Sequence, residues 1–218
     1  MPNIVTISRE FGSGGRELGK RLADELQFSY YDREIITAIA EKTGMNENYI
    51  EHAIENDVVN FKWHPLTFAK TFPQVSAISN TTVHLLSLQH NIVREIAQNG
   101  NCVIVGRAAD SVLSGFKPFN IFVYADEKSK IERCRLRASP EEQEQNLSDS
   151  KLLKQMKQID KNRAEYHDII SSSRWGDKSG YNICVNTTGI EIKNIVPILA
   201  EFCKNWFNTL ESESEKQN

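Results

Sequence analysis

Three glycines within four residues, Gly12, Gly14 and Gly15, stand close behind the β-branched run Ile4-Val5-Thr6-Ile7-Ser8. No other stretch limits the possible fold as much. The run is too short for a helix and reads as a buried strand ending at the bend. Beyond the bend, Leu18, Leu22 and Leu26 recur every fourth residue with Ala23 beside them, while Lys20, Arg21 and Asp24 face elsewhere. That is a helix with one buried stripe. Glycine takes positive φ easily and leaves the neighbouring N–H groups uncovered. A strand, a glycine bend and a helix N-terminus therefore make a place where a polyanion can meet unpartnered amides. A tight turn that holds no ligand is the bland alternative.

The common nucleotide-binding signature, G-x-x-x-x-G-K-[ST], is met in no register. Gly14 with Gly19-Lys20 supplies its glycines and lysine, but Arg21 stands in the Ser/Thr place, and the helix would then start only at Gly19. In the better register Gly14 closes the loop, Gly15 takes the lysine position and Arg16 follows. Gly12, Ser13, Gly14, Gly15 and Arg16 are then the candidate phosphate-binding set. A charge-assisted hydrogen bond from Arg16, worth roughly 1.5–3 kcal/mol, would replace the missing ammonium.

From Ile7 to Gly19 the sequence resembles the cytidylate-kinase-like family of P-loop proteins, in its uncharacterised branch. True cytidylate kinases carry a lysine in place of Gly15 and a threonine in place of Glu17. The resemblance extends to about Thr188. It is carried further by Gly106-Arg107, where the family's arginine holds the phosphate of the acceptor nucleotide, although the family has an aspartate in place of Val105. It is carried also by Asp160 to Tyr166, which looks like the family's flap segment, with Arg174-Trp175-Gly176 after it.

The rest of the chain fills in a frame. Phe28 to Tyr31 reads as a second strand, with Asp32 and Arg33 at its carboxyl end, where ligands gather in open α/β sheets. Asp32 either caps the next helix or serves as a functional carboxylate, and one residue can do both. Helical pattern over Ile35 to Glu55 breaks at Thr43-Gly44, with Asn46 as a second cap. From Asn56 to Asn80 an aromatic-rich insert carries Trp63, Phe68 and Phe72, either a cover for the acceptor or a peripheral mini-core or subunit contact. Thr81 to Gln98 is a regular helix leading into Cys102-Val103-Ile104-Val105, an apolar run typical of a strand covered on both faces. Asn120 to Tyr124 and Tyr181 to Val185 are further strands, and Glu191 to Leu210 the closing helix. Lys130, Arg133 and Arg137 share one face of the helix Asp126 to Arg137, either a charged solvated face or, as the resemblance implies, arginines carried to a flap. Asp160 and Arg163 are either an i,i+3 ion pair or part of that flap.

Five apolar runs separated by helices predict a three-layer α/β, P-loop NTPase-like fold with a five-stranded, mainly parallel sheet. The expected organisation is one domain over 1–218, with a helical insert at about 44–99, a flap at about 138–176 and a disordered tail at about 211–218. With 26 basic and 29 acidic residues the net charge is −3, which argues against a broad nucleic-acid surface. The four cysteines form no C-x-x-C, so neither a zinc knuckle nor a disulfide framework is suggested. No basic-apolar leader is visible, and no apolar run approaches the roughly 20 residues that span a bilayer. A cytoplasmic protein is expected, with no membrane partner.

The expected chemistry is transfer of a phosphoryl group from ATP, with magnesium, to a nucleoside monophosphate such as CMP or another small phosphorylated or otherwise small acceptor. Arg16, Asp32, Arg133 and Arg163 are the catalytic candidates. Arg33 and Arg107 are the acceptor-binding candidates, and Arg137, Asp160 and Arg174 belong to the flap. No metal ligand is assigned; Ser13, Glu17 and Asp32 are candidates for indirect magnesium contacts. Gly15 in the lysine position supports the other reading, a nucleotide- or phosphate-sensing module that binds without turnover.

Overall fold

The computed structural model describes residues 2–54, 73–140 and 147–215. Five strands form one sheet: β1 (Ile4–Arg9), β2 (Ser29–Tyr31), β3 (Cys102–Val105), β4 (Phe119–Tyr124) and β5 (Ile183–Asn186). Their order is β2-β3-β1-β4-β5 and every pairing is parallel, in register Ile4 with Cys102 and Val5 with Phe119. β3 thus separates β1 from β2, and Asp32 reaches the loop after β1 across β3 rather than from an adjacent strand.

Alternation along the strands feeds two cores. Ile4, Cys102 and Ile104 point to one side and Val5, Ile7, Val103 and Val105 to the other. The first side is covered by α2 (Glu34–Thr43), α3 (Glu47–His52), α4 (Pro73–Asn99) and the short α5 (Ala109–Val112), through Ile35, Ile39, Ile50 and Leu85. The second is covered by α1 (Gly15–Leu26) and α8 (Ile192–Glu215), through Leu18, Leu22, Leu199 and Phe207. Each such fully buried side chain contributes on the order of 1.5–3 kcal/mol. This is a three-layer α/β fold. α6 (Glu127–Arg137) and α7 (Asp149–Ile170) rise beside the carboxyl ends of the strands.

Local signals explain the element ends. Gly44 takes φ 69° at the end of α2, and Asn46 caps α3 by accepting the Asn48 amide. Asp32 is not a cap, since the residue before α2 is Arg33 in helical conformation with no side-chain cap. The closing helix runs to Glu215, so residues 211–215 are helical where a disordered tail was expected. The aromatic residues Trp63, Phe68 and Phe72 lie outside the described residues. Among the described residues no helix is long and apolar enough to cross a membrane.

Candidate functional site

The loop between β1 and α1 holds its shape through a few internal bonds. The Glu10 carbonyl accepts both the amide and the hydroxyl of Ser13, at 3.3 and 2.8 Å. Gly12 and Gly14 have φ of 77° and 86°, values an L side chain resists. The first turn of α1 follows at once, with Leu18 donating to the Gly14 carbonyl at 2.9 Å. The amides of Gly14, Gly15, Arg16 and Glu17 have no acceptor among the described residues. Four successive donors thus stand at the positive end of a helix. Gly19 lies within α1, where a Cβ would come within 2.7 Å of Val105 Cγ2, so its smallness serves helix-to-sheet packing and the Gly19-Lys20 register is ruled out.

Two helices strap this loop down. From α6, Lys130 is buried and pairs with Glu10 at 2.9 Å and Asp160 at 3.8 Å, so it does not extend a solvent-facing positive stripe. Arg133 donates to the carbonyls of Ser13 at 3.3 Å, Ile190 at 3.3 Å and Thr187, and to the Thr187 hydroxyl at 3.1 Å. From α7, Asp160 accepts the Phe11 amide at 2.6 Å, and Arg163 donates to the Arg9 carbonyl at 3.3 Å while its guanidinium lies 5.6 Å over the Phe11 ring. Asp160 and Arg163 do form their i,i+3 pair, at 3.3 Å, but both also grip the loop's main chain. Burial pushes the Asp160 carboxyl up, against the pull of the Phe11 amide and of Arg163 and Lys130.

The space beside Gly15 is filled by Arg9. A Cβ at Gly15 would lie 2.5 Å from Arg9 Cβ, and one at Gly106 would overlap the Arg9 guanidinium. Arg9 therefore runs from the loop to the turn after β3, between two glycines that leave it room. Its Nη2 comes within 3.9 Å of Asp32 Oδ1. Arg16, whose side chain is 60% exposed, bonds Asp32 Oδ2 through Nε at 2.6 Å. Asp32 is buried. Two guanidinium groups thus converge on one carboxylate beside the unbonded amides.

On the far side of Arg9, Gly106, Arg107 and Ala108 all take positive φ, at 78°, 61° and 47°. Arg107 is buried there and reaches Glu51 of α3 at 3.8 Å. Arg33, more exposed, reaches the same Glu51 at 3.4 Å. A narrow cavity of about 40 Å³ opens at this point, lined among others by Ser8, Arg9, Arg107, Arg163, His167 and Trp175. Not every candidate arrives. Arg137 and Arg21 both pair with Glu17, which keeps Glu17 at the mouth of α1 as a partner of arginines. Arg174 is exposed, and its neighbour Trp175 lines the cavity instead, packed edge-on against Phe122 at 5.1 Å.

For magnesium, the described residues offer no cluster of three or more His, Cys, Asp or Glu. The Ser13 hydroxyl is turned inward to Glu10 and Glu17 is paired with arginines, so neither fits the contact expected of it. Asp32 Oδ1, buried with no hydrogen-bond partner among the described residues, fits a water on a phosphate-bound magnesium ion. The four open amides fit donor phosphates.

Arg9, Glu51 and Thr187 escaped the reading of the sequence. Gly15 and Gly106 hinted at Arg9, but only the fold brings those two glycines to one side chain.

A sequence model of the cytidylate kinase-like family matches residues 4–189. The chain belongs to the cytidylate kinase-like family. Its coverage includes β1 through β5, with the loop, the turn after β3 and α7 inside it. No curated protein sequence matches the chain. Among solved structures, an uncharacterized protein from Eubacterium ventriosum is 23% identical with a TM-score of 0.66, covering 93% of this chain and 98% of its own. A shikimate kinase from Bacteroides thetaiotaomicron has a TM-score of 0.54 at 15% identity, with coverage of 94% and 99%. A gluconokinase from Sinorhizobium meliloti has 0.53 at 15%, with coverage of 98% of each chain. At these identities the likeness speaks for the fold. Family membership supports phosphotransferase chemistry in general terms.

Proposed function

We propose that this member of the cytidylate kinase-like family transfers a phosphoryl group from a nucleoside triphosphate, ATP with magnesium, to a nucleoside monophosphate such as CMP or another small anionic acceptor. The observation that carries this reading is the row of unbonded amides from Gly14 to Glu17, set one strand away from the buried Arg107. Donor phosphates would lie on those amides. An open cleft of about 460 Å³ between α6 and residues 189–193, with Leu136 and Ile190 exposed in it, offers the base and sugar a place to lie. Arg9 and Arg16 would face the terminal phosphates, and Arg107 with Arg33 would hold the acceptor's anion once Glu51 gives way. Magnesium would supply charge neutralisation between the donor oxygens, with Asp32 holding one of its waters. Phosphoryl transfer needs positioning and positive charge more than covalent help, and arginines at this spacing supply both.

Titration calorimetry with magnesium ATP, followed by ADP release over a panel of CMP, UMP and AMP, tests the reading. Saturable ATP binding with acceptor-dependent ADP release is expected. No saturable binding removes the donor site. Saturable binding without ADP release for any acceptor favours the second reading, a sensor, whose support is the absence of a lysine at Gly15.

A further inference from the structure

At the wall of the cavity beside Arg107 lies one buried pair that neither donor nor anion handling uses. His167 of α7 and Asp110 of α5 are 2% and 6% exposed, and His167 Nε2 lies 2.7 Å from Asp110 Oδ2. His167 lines the cavity, yet its second nitrogen, Nδ1, is buried without a hydrogen-bond partner among the described residues. The nearest carboxylate to it, Asp168 Oδ1, stands 3.8 Å away, beyond hydrogen-bond reach. A strut between α5 and α7 accounts for Nε2 and leaves Nδ1 unexplained, since an orphaned buried acceptor costs its full desolvation.

The pairing sets the tautomer of the neutral ring. A carboxylate accepts from Nε2–H, so in that form the ring proton sits on Nε2 and Nδ1 keeps its lone pair. A carboxylate orienting one face of an imidazole while the other is bare is the arrangement of a general base. Asp32, the other candidate, already accepts from Arg16 at 2.6 Å and faces Arg9. Phosphate and hydroxyl acceptors differ here. A phosphomonoester is largely ionised near neutral pH and brings its own nucleophilic oxygen, whereas a hydroxyl must lose a proton as it attacks.

We propose that His167 is the general base of this site and that its acceptor is a small anionic molecule whose reacting group is a hydroxyl. The proposal rests on the phosphotransfer reading and narrows it. The hydroxyl oxygen forms a bond to the γ-phosphorus, and the bond from that phosphorus to the bridging oxygen breaks, its electron pair leaving with ADP. The hydroxyl proton passes to Nδ1, and Asp110 stabilises the resulting imidazolium through Nε2–H. The acceptor's anionic group lies on Arg107. Against the ring stand Asp110 from α5 and Asp168 from its own helix, while Arg163 of that helix, Arg107 from the turn after β3 and Arg9 from β1 line the same cavity. Tyr181 is also near; burial first, and then the charge of Asp110, push its phenol up to about 12, so it stays protonated.

The test uses the full chain with magnesium ATP and two acceptor sets: glycerate, gluconate, glycerol phosphate and ribose phosphate against CMP, UMP and AMP. ADP release with a member of the first set is expected, with kcat falling on the acid side through one group. His167→Gln should lower that kcat by about 10²- to 10⁴-fold, keep KM and ATP affinity within about threefold, and abolish the acid limb. Nitrogen-15 NMR of the wild-type histidines should show His167 protonated at Nε2 and bare at Nδ1 when neutral, so that a proton on Nδ1 overturns the proposal even should the variant fail to fold. Turnover confined to the nucleotides overturns this proposal and leaves phosphotransfer standing, as does an unchanged kcat in His167→Gln or a proton found on Nδ1. ATP bound with no acceptor of either set turned over also overturns it, whereas no ATP binding removes the phosphotransfer reading itself.

Discussion

The loop after β1 and the turn after β3 leave neighbouring parallel strands and both use left-handed backbone, yet they present opposite chemistry. In the loop the positive-φ residues are glycines, Gly12 and Gly14, and what faces outward is main chain. In the turn only Gly106 is a glycine; Arg107 and Ala108 carry side chains at φ 61° and 47°, each at a cost of about 1–2 kcal/mol. That strain holds because the fold fixes the turn from several sides. Gly106 donates to Ile7, Ala109 donates to Gly106, and the Arg107 side chain is 5% exposed. On the proposed function, one site would read its ligand through amides that any polyphosphate can use, and the other through the buried Arg107 guanidinium with Arg33 beside it. The loop would then be the permissive half and the turn the selective one.

Deleting a side chain should therefore hurt most at the turn. Arg107→Ala is expected to raise the acceptor KM by about 30-fold or more, since truncating a buried charged contact costs roughly 2–5 kcal/mol. Steady-state kinetics with ATP affinity measured alongside checks this, and a donor affinity that fell equally would erase the division between the halves. Arg9 belongs to both, lying against Gly15 at one end and Gly106 at the other. Arg9→Ala should weaken donor and acceptor about tenfold each, whereas Arg16→Ala should weaken the donor alone by about as much, in line with one charged hydrogen bond. Calorimetric titration of each variant separates the two patterns.

Restoring the missing lysine makes a smaller and sharper test. Gly15→Lys puts a Cβ 2.5 Å from Arg9 Cβ, so about 1–3 kcal/mol of stability should be lost with no gain in turnover. A denaturant melt and an ADP-release assay read both, and a faster enzyme would show that Arg9 does not fill the lysine's place. Smallest of all, Ala108→Gly should relieve left-handed strain and stabilise the protein by about 1 kcal/mol, seen as a rise in Tm. A fall would mean the turn is held by the methyl group rather than despite it.

The frame was readable because it rests on local patterns. Ile4 to Ser8, β-branched apart from its last residue, and the wholly apolar Cys102 to Val105 are buried on both faces, which is what central strands of a parallel sheet need, and the leucines of α1 mark its buried face directly. Asp32, Arg107 and Arg163 could be picked out because strand ends and D-x-x-R leave traces in one dimension. Arg9 could not, since its meaning depends on Gly15, six residues after it, and on Gly106, in the turn after another strand. Lys130 looked like part of a charged helix face until Glu10 and Asp160 closed around it. Such pairings are products of topology, and no periodicity announces them. Ser13 shows the opposite failure, a residue of the right type whose hydroxyl is drawn inward by a carbonyl three positions back.

Glu51 has one further implication. Its carboxylate rests against Arg33 and Arg107, so the seat proposed for the acceptor's anion is already warm. A newcomer must outbid a tethered competitor at high local concentration, and its apparent affinity is scaled down by the fraction of molecules in which that competitor has stepped aside. On the proposed function, weak anions such as chloride or acetate would be turned away by this arithmetic alone, while a ligand strong enough to win would free the Glu51 carboxylate from both arginines.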